Sequence, residues 1–383
     1  MIRKSLLVTF DFPPVRGGIS SFMLNVVQAL PDDSIAVLTE NHLESTSYAF
    51  PVYRKKLITT SRFIWPRWLP LLWHMYHIVL RSRISVIQVG QILPFGTCAL
   101  ILKKIFRIPY IVYVYGNDLI IMRHSSRKMR QIRHILLNAE KIIGCSHYTK
   151  QLAIENGAPA DRTMALYPCP TIHPPIGFNQ SEIDEFKSAH KLTHKRILIT
   201  IGNLVLRKGH DQVIKALPEV IKYIPDCMYI ICGKGPQFHH LQQTVRFHQL
   251  DAYVQFWPQV NHHDLQKLYR SCDVFIMPSR ILRDKDGLPI DVEGFGIVYL
   301  EANLYGKPVI GGNTGGVPEA IKNGVSGMTV DPEDISSIAR AVITILSDER
   351  LACRLGEEGR IRAHQKFDWQ KESKLLMSVL HEK

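Results

Sequence analysis

Between Asp291 and Glu301 the chain reads Asp-Val-Glu-Gly-Phe-Gly-Ile-Val-Tyr-Leu-Glu and runs on as Ala-Asn-Leu-Tyr-Gly-Lys-Pro-Val-Ile. Glu293 and Glu301 stand eight positions apart, the first at the edge of a glycine-bearing loop and the second where a short helix is expected to open. Carboxylates so placed can grip the hydroxyls of a polar ligand from two sides. Between them, Gly294, Phe295, Gly296 and Ile297 offer main-chain N–H groups to an anion, because glycine lets the backbone come close and a helix start favours negative charge. Two surface carboxylates beside a turn would give the same pattern, so the reading depends on what else converges on this loop.

Three other places carry chemistry of the same kind. Arg207-Lys208-Gly209 follows an apolar strand at 196–201, where a phosphate would sit at the strand's carboxyl end. Gly17-Gly18 follows the first strand, 5–10, and precedes a helical pattern at 21–30. That is the opening of a phosphate-binding α/β unit or an ordinary turn, and the absence of G-x-G-x-x-G weighs against a dinucleotide site. Asp118 ends the loop Gly116-Asn117-Asp118 after the strand Pro109–Tyr115, again at a carboxyl end.

The elements that must hold these residues alternate strand and helix in two series. With 383 residues two domains are expected. Strands at 5–10, 35–39, 84–89 and 109–115 form the first. A run with four prolines in ten residues, 168–177, interrupts the pattern. It begins again at 196–201, 229–232, 254–257, 274–277 and 308–311, each strand ending in a loop of small or polar residues. A helix is expected over 334–347 and an amphipathic one from Gln365 onward. The division predicted is 1–175, a linker at 176–195, 196–364, and a C-terminal helix, 365–383, closing back over the first domain.

Charge is uneven. Residues 1–190 hold 22 Lys and Arg against 12 Asp and Glu, whereas 191–383 hold 25 against 22, so an acidic partner is sought on the first half. The segment 62–83 has three of the five tryptophans and only basic charges, which suits a membrane interface or a helix packed on the sheet with a basic rim. Arg123, Arg127, Lys128, Arg130 and Arg133 make the densest basic cluster, with no acid among them. Nucleic-acid binding would need aromatic platforms or a recognition helix beside such charge, and here the aromatics sit with Leu and Pro, so nucleic acid is not expected as a partner. The seven cysteines are scattered without metal-ligand spacing, which predicts free thiols in a reducing compartment. The N-terminal apolar run is too short for a signal peptide and no run reaches the length of a membrane span, so a cytoplasmic protein, peripheral at the inner membrane face, is expected.

Taken together, Gly17-Gly18, Arg207-Lys208-Gly209, Ile231-Cys-Gly-Lys-Gly-Pro236, Asp273–Ser279, Glu293–Glu301 and Gly315-Gly-Val-Pro-Glu319 resemble the retaining glycosyltransferases of family GT4, in particular the phosphatidylinositol mannosyltransferases. The resemblance implies an α/β fold of the GT-B type, two Rossmann-like domains facing across a cleft, and a hexose moved from a nucleotide sugar to a lipid-linked or saccharide acceptor without metal or cofactor. GDP-mannose is favoured as donor, with a UDP-sugar used in surface polysaccharide synthesis as the alternative. It also implies that Arg207 and Lys208 hold the diphosphate, Glu293 the sugar hydroxyls, the 294–297 backbone the sugar and phosphates, Glu301 the ribose, and backbone near 258–261 the base. Gly18 would approach the diphosphate from the first domain, and Asp118 would lie near sugar and acceptor. One position departs from the family pattern: Tyr115 stands where many relatives have a histidine that contacts the donor sugar.

Overall fold

The computed structural model describes residues 2–15, 17–42, 47–174 and 179–381. It divides into two compact units, Met1–Pro168 with Trp369–Lys383, and Cys169–Asp368.

In the first unit β1 (Ser5–Val8), α1 (Gly18–Gln28), β2 (Ile35–Glu40), β3 (Val52–Lys55), α2 (Leu69–Arg81) and β4 (Val86–Val89) come first. There follow α3 (Thr97–Phe106), β5 (Tyr110–Val114), α4 (Asn117–Ile120), α5 (Ser126–Asn138), β6 (Lys141–Gly144), α6 (His147–Glu155) and β7 (Thr163–Ala165). The sheet order is β3-β2-β1-β4-β5-β6-β7, all parallel. Parallel strands covered on both faces have no need of alternation, and Ser5–Val8, Val86–Val89 and Tyr110–Val114 are buried at every position. The edge strand β3, Val-Tyr-Arg-Lys, was not legible in the sequence: with a neighbour on one side only it is partly exposed and polar at its end.

The second unit opens with α7 (Gln180–Ala189), β8 (Arg196–Ile201), α8 (His210–Tyr223), β9 (Cys227–Cys232), α9 (Phe238–Phe247), β10 (Val254–Trp257), α10 (His262–Ser271) and β11 (Val274–Met277). A two-stranded antiparallel hairpin, β12 (Leu282–Arg283) and β13 (Pro289–Asp291), leads to α11 (Ile297–Leu304), β14 (Val309–Gly312), α12 (Val317–Ala320), β15 (Gly327–Val330), α13 (Ile335–Ser347) and α14 (Glu349–Lys366). The six-stranded parallel sheet has the order β10-β9-β8-β11-β14-β15. Its core joins Leu198, Tyr229, Ile231 and Ile276 from the strands to Val213, Leu217, Ile338 and Val342 from α8 and α13.

Three boundaries differ from the sequence reading. The expected linker holds a helix: in α7 Ile183 and Phe186, three apart, are buried and give it a packed side, while positions 176–178 lie outside the described residues. The first unit stops at Pro168, because the following segment is bonded to the second: Thr171 reaches Glu301, and the His173 carbonyl accepts from Gln266 and Tyr305. The C-terminal pattern from Gln365 is broken at Phe367–Asp368, where Phe367 is buried against Phe295 with the Arg362 guanidinium 4.9 Å from its ring centroid. The chain resumes as α15 (Trp369–Leu380), whose Leu376 and Leu380 join Phe22 and Val26 of α1 in the first unit's core, with Trp369 edge-on to Phe22.

Six of the seven cysteines are buried and Cys353 is exposed. Among the described residues no helix is long and apolar enough to cross a membrane.

Candidate active site

Strand order in the second sheet reverses between β8 and β11, the position at which open α/β sheets bind ligands. The loop after β8 carries Arg207 and Lys208 on a single turn, Leu206–Lys208. That turn ends at Gly209, which has φ 74° and lies so close to the end of β11 that a Cβ would sit 2.3 Å from the Pro278 carbonyl oxygen. Any side chain there would push the two loops apart.

From β11 the chain passes through the hairpin and delivers Asp291 and Glu293 to the same spot. Arg207 Nε donates to Asp291 at 2.9 Å, its Nη1 donates to Glu293, and Lys208 Nζ donates to the same Glu293 oxygen. The Arg207, Lys208 and Glu293 side chains are about one-eighth exposed, Asp291 about a quarter. Burial alone would raise the Glu293 carboxyl, yet the Lys208 and Arg207 charges outweigh it and hold its pKa down at about 2. Burial likewise works against the Arg207 charge, and Glu293 with Asp291 more than restores it. The loop is supported from beneath by Gly315 and Gly316: the Gly316 N–H donates to the Glu293 carbonyl at 2.9 Å, and a Cβ on Gly316 would meet the Gly294 carbonyl oxygen at 1.9 Å. Gly296 then caps α11, so the amides of its first turn, Ile297 among them, have no acceptor within the helix.

Glu301 lies one turn into α11 and is 5% exposed. Tyr269 Oη donates to one of its oxygens at 3.0 Å and Thr171 Oγ1 to the other at 3.3 Å. Burial pushes its pKa up to about 6 against the pull of those two bonds. Between the ordinary value of 4.5 and about 6 the folded protein holds a proton that the unfolded chain has lost, so stability falls as pH rises through that window. Glu301→Gln is therefore expected to gain on the order of 1–2 kcal/mol above pH 6 and little at pH 4.5. Urea unfolding of both proteins at the two pH values checks this, and a variant no more stable than the parent at high pH would refute it.

In the first unit the order reverses between β1 and β4. Gly17 and Gly18, at the start of α1, are exposed. Asp118 accepts from the Tyr115 and Gly116 amides at 3.2 and 3.0 Å, and burial, opposed by those bonds, pushes it up to about 6. Its second oxygen has no hydrogen-bond partner, nor has the buried Tyr115 hydroxyl. Burial above all keeps the Tyr115 phenol protonated, with a smaller contribution from Asp11, whose own pKa burial raises and which accepts from Gln91 at 2.7 Å.

Within the second unit, then, Arg207, Lys208 and Glu293 meet in one cluster. Glu301 is buried apart from that cluster on the same loop-and-helix segment, and Asn261, at the end of the 258–261 stretch expected to read the base, uses its side chain to cap α10. Gly17, Gly18 and Asp118 belong to the other unit. Sequence reasoning missed three participants. Asp291 was quoted but given no role, although a carboxylate two residues before Glu293 points the same way in an extended chain. Asp211 and Arg280 form a buried pair beside the Arg207 turn, both Asp211 oxygens 3.0 Å from Arg280 Nη2. The one signal was the place of Arg280 just past a strand end and of Asp211 at the start of the helix that follows the Arg207-Lys208 turn.

Two family models match successive parts of the chain, Glycosyltransferase Family 4 over residues 16–169 and Glycosyl transferases group 1 over residues 181–362. With two Rossmann-like units and this site, the protein is a glycosyltransferase of the GT-B fold, one that moves a sugar from a nucleotide-sugar donor to an acceptor. It carries a GT4 domain and is related at moderate identity to the GDP-mannose-dependent phosphatidylinositol mannosyltransferases. The GDP-mannose-dependent alpha-(1-6)-phosphatidylinositol monomannoside mannosyltransferase of Mycolicibacterium smegmatis is 27% identical over 98% of this chain and 97% of its own. The monoacylated-substrate counterpart from Corynebacterium glutamicum is 28% identical over 99% and 98%. Among solved structures, Anabaena Alr3699/HepE in complex with UDP and glucose superposes with a TM-score of 0.81 at 19% identity over 99% of both chains. Sucrose-phosphate synthase from Thermosynechococcus elongatus gives 0.80 at 20% identity, covering 98% and 97%.

Proposed function

We propose that this chain transfers a hexose with retention of configuration, without a metal, to a saccharide or lipid-linked acceptor. The observation that carries the reading is the meeting of Arg207 and Lys208 with Glu293 at the carboxyl ends of β8 and β11. Two buried cations facing two carboxylates form a cluster near neutrality, so an entering diphosphate competes with Glu293 for them and frees that carboxylate for sugar hydroxyls. As the glycosidic bond breaks, negative charge gathers on the diphosphate, and fixed cations already in place stabilise it without reorganisation. The amides opening α11 seat the sugar and phosphates, and Glu301 takes the ribose. Attack comes from the face of departure, with the leaving phosphate accepting the acceptor's proton, so neither glutamate acts as nucleophile. In the first unit, Asp118 and the Tyr115 hydroxyl each keep an oxygen without a hydrogen-bond partner, suited to a polar ligand.

A UDP-sugar is the donor we favour, in the synthesis of a surface polysaccharide. Support comes from the likeness to Anabaena Alr3699/HepE, whose structures hold UDP, UDP with glucose, and UDP-glucose. GDP-mannose stays as the second reading because full-length relatives carry it in their names. Thermal unfolding with UDP, GDP and their hexose conjugates separates the two. A ligand at a hundred times its Kd adds about 2.7 kcal/mol and so raises Tm by several degrees. A shift with UDP and none with GDP is expected; the reverse pattern would install GDP-mannose, and no shift with either would remove the donor site.

A further inference from the structure

Between the end of β11 and Glu293 the chain makes a detour, and the hairpin β12–β13 fills most of it. That hairpin is held in shape by its own bonds. The Asp284 N–H donates to the Leu288 carbonyl at 2.9 Å, and the Asp284 carboxylate accepts from the Asp286 and Leu288 amides at 2.9 and 2.8 Å. Gly287, with φ 79°, supplies the left-handed position of the turn. Leu282 lies opposite Asp291, so the place of the last hairpin residue is set by the first. Just before the hairpin the Arg280 N–H donates to the Arg207 carbonyl at 2.9 Å, and at its far end Asp291 accepts from Arg207 Nε at 2.9 Å. Arg207 is therefore gripped by its backbone at one end of the hairpin and by its guanidinium at the other.

A guanidinium is a planar fork, and bonds at two of its nitrogens fix the direction of the third. Here Nε is taken by Asp291 and Nη1 by Glu293, while Nη2 has no hydrogen bond among the described residues. Asp291 also supplies the second of the two negative charges that offset Arg207 and Lys208. A carboxylate at that distance repels a diphosphate, and repels it more the more charge it carries. A free nucleoside diphosphate bears about three negative charges at neutral pH and its sugar conjugate about two, because a terminal phosphate loses its last proton near pH 6. We infer that Asp291 is a positioning residue with a second effect on release: it turns the Arg207 guanidinium so that Nη2 meets the donor diphosphate, and its charge loosens the hold on the nucleoside diphosphate left after transfer. This rests on the reading that Arg207 and Lys208 hold the diphosphate.

Asp291→Asn keeps the size and an oxygen that can accept from Nε but removes the charge; Asp291→Leu removes both. Titration calorimetry of the full-length protein with UDP and UDP-glucose, and with GDP and GDP-mannose in parallel, separates the two effects. For the diphosphate that the parent binds, Asp291→Asn should lower Kd about fivefold or more, and the gain for its sugar conjugate should be smaller. Asp291→Leu should bind that diphosphate no more tightly than the parent, because the freed guanidinium is no longer aimed. A hairpin that served only to stabilise the fold would lower Tm and weaken binding in both variants. The release effect is overturned if Asp291→Asn gains nothing or gains equally for diphosphate and conjugate, and the orienting role if Asp291→Leu gains as much as Asp291→Asn. Should Asp291→Leu fail to fold, the comparison of Asp291→Asn with the parent decides on its own. Binding that Lys208→Ala abolishes and Asp291→Asn leaves unchanged removes this inference and keeps the donor reading, whereas a parent that binds neither diphosphate removes both.

Discussion

Lys208→Ala is expected to lower turnover by at least about a hundredfold, the equivalent of about 3 kcal/mol of transition-state stabilisation, while leaving the fold intact. Lys208 Nζ is buried on Glu293, and no part of the sheet depends on it: the turn that bears it is fixed by backbone, through the Arg280 N–H to the Arg207 carbonyl at 2.9 Å and the close approach of Gly209 to Pro278. Arg207 still neutralises Glu293 in the variant, so no buried carboxylate is left without a cation. What is lost is the second positive charge where the leaving diphosphate gathers its own. Acid titration tests whether the residue acts as described. A carboxyl held at about 2 contributes stability that is present above its ordinary 4.5 and lost as pH falls towards 2. That acid-side dependence should shrink in Lys208→Ala while Tm at neutral pH changes little. Steady-state assays with the intact donor and its acceptor give the rate, and near-parental turnover would end the phosphate role.

How this cluster assembles shows what a sequence can and cannot display. The strands β8 and β11 were legible to the residue because a buried parallel strand is a largely apolar run closed by glycine or proline. The Arg207-Lys208 turn and the Glu293 loop were legible as well, each being a polar interruption at such a strand's end. Their pairing was not, since 85 positions separate Lys208 from Glu293 and only the adjacency of β8 and β11 brings them together. Edge strand β3 and helix α7 were hidden for the opposite reason: partial exposure mixes polar residues into them and blurs their period. Helix α14, with 18 residues and four buried positions, is blurred further. Tyr115 was noticed as a departure, and its unbonded hydroxyl gives the departure a physical content that a letter in a sequence lacks.

The Asp211–Arg280 pair is where stability and the site are expected to be tied most closely. Both side chains are about 7% exposed, Asp211 in the first turn of α8 and Arg280 just past β11, so the pair fastens the two loops that flank Arg207 and Lys208. Arg280→Met keeps length and apolar stem but strips the guanidinium from a buried carboxylate, a change that costs about 3 kcal/mol or more. Lys215, 3.4 Å from Asp211, and the amides opening α8 offset part of it. A Tm lower by several degrees is the expected result. Replacing Asp211 by leucine in the same protein removes the stranded charge, and most of the loss should return, because an apolar pair can stand in for a buried ion pair at little cost. The two substitutions should then be strongly non-additive, with a coupling of about 1–3 kcal/mol in a double-mutant cycle. Additive effects would mean that Arg280 and Asp211 act separately, and the Arg207 turn would have to be held by its backbone bonds alone.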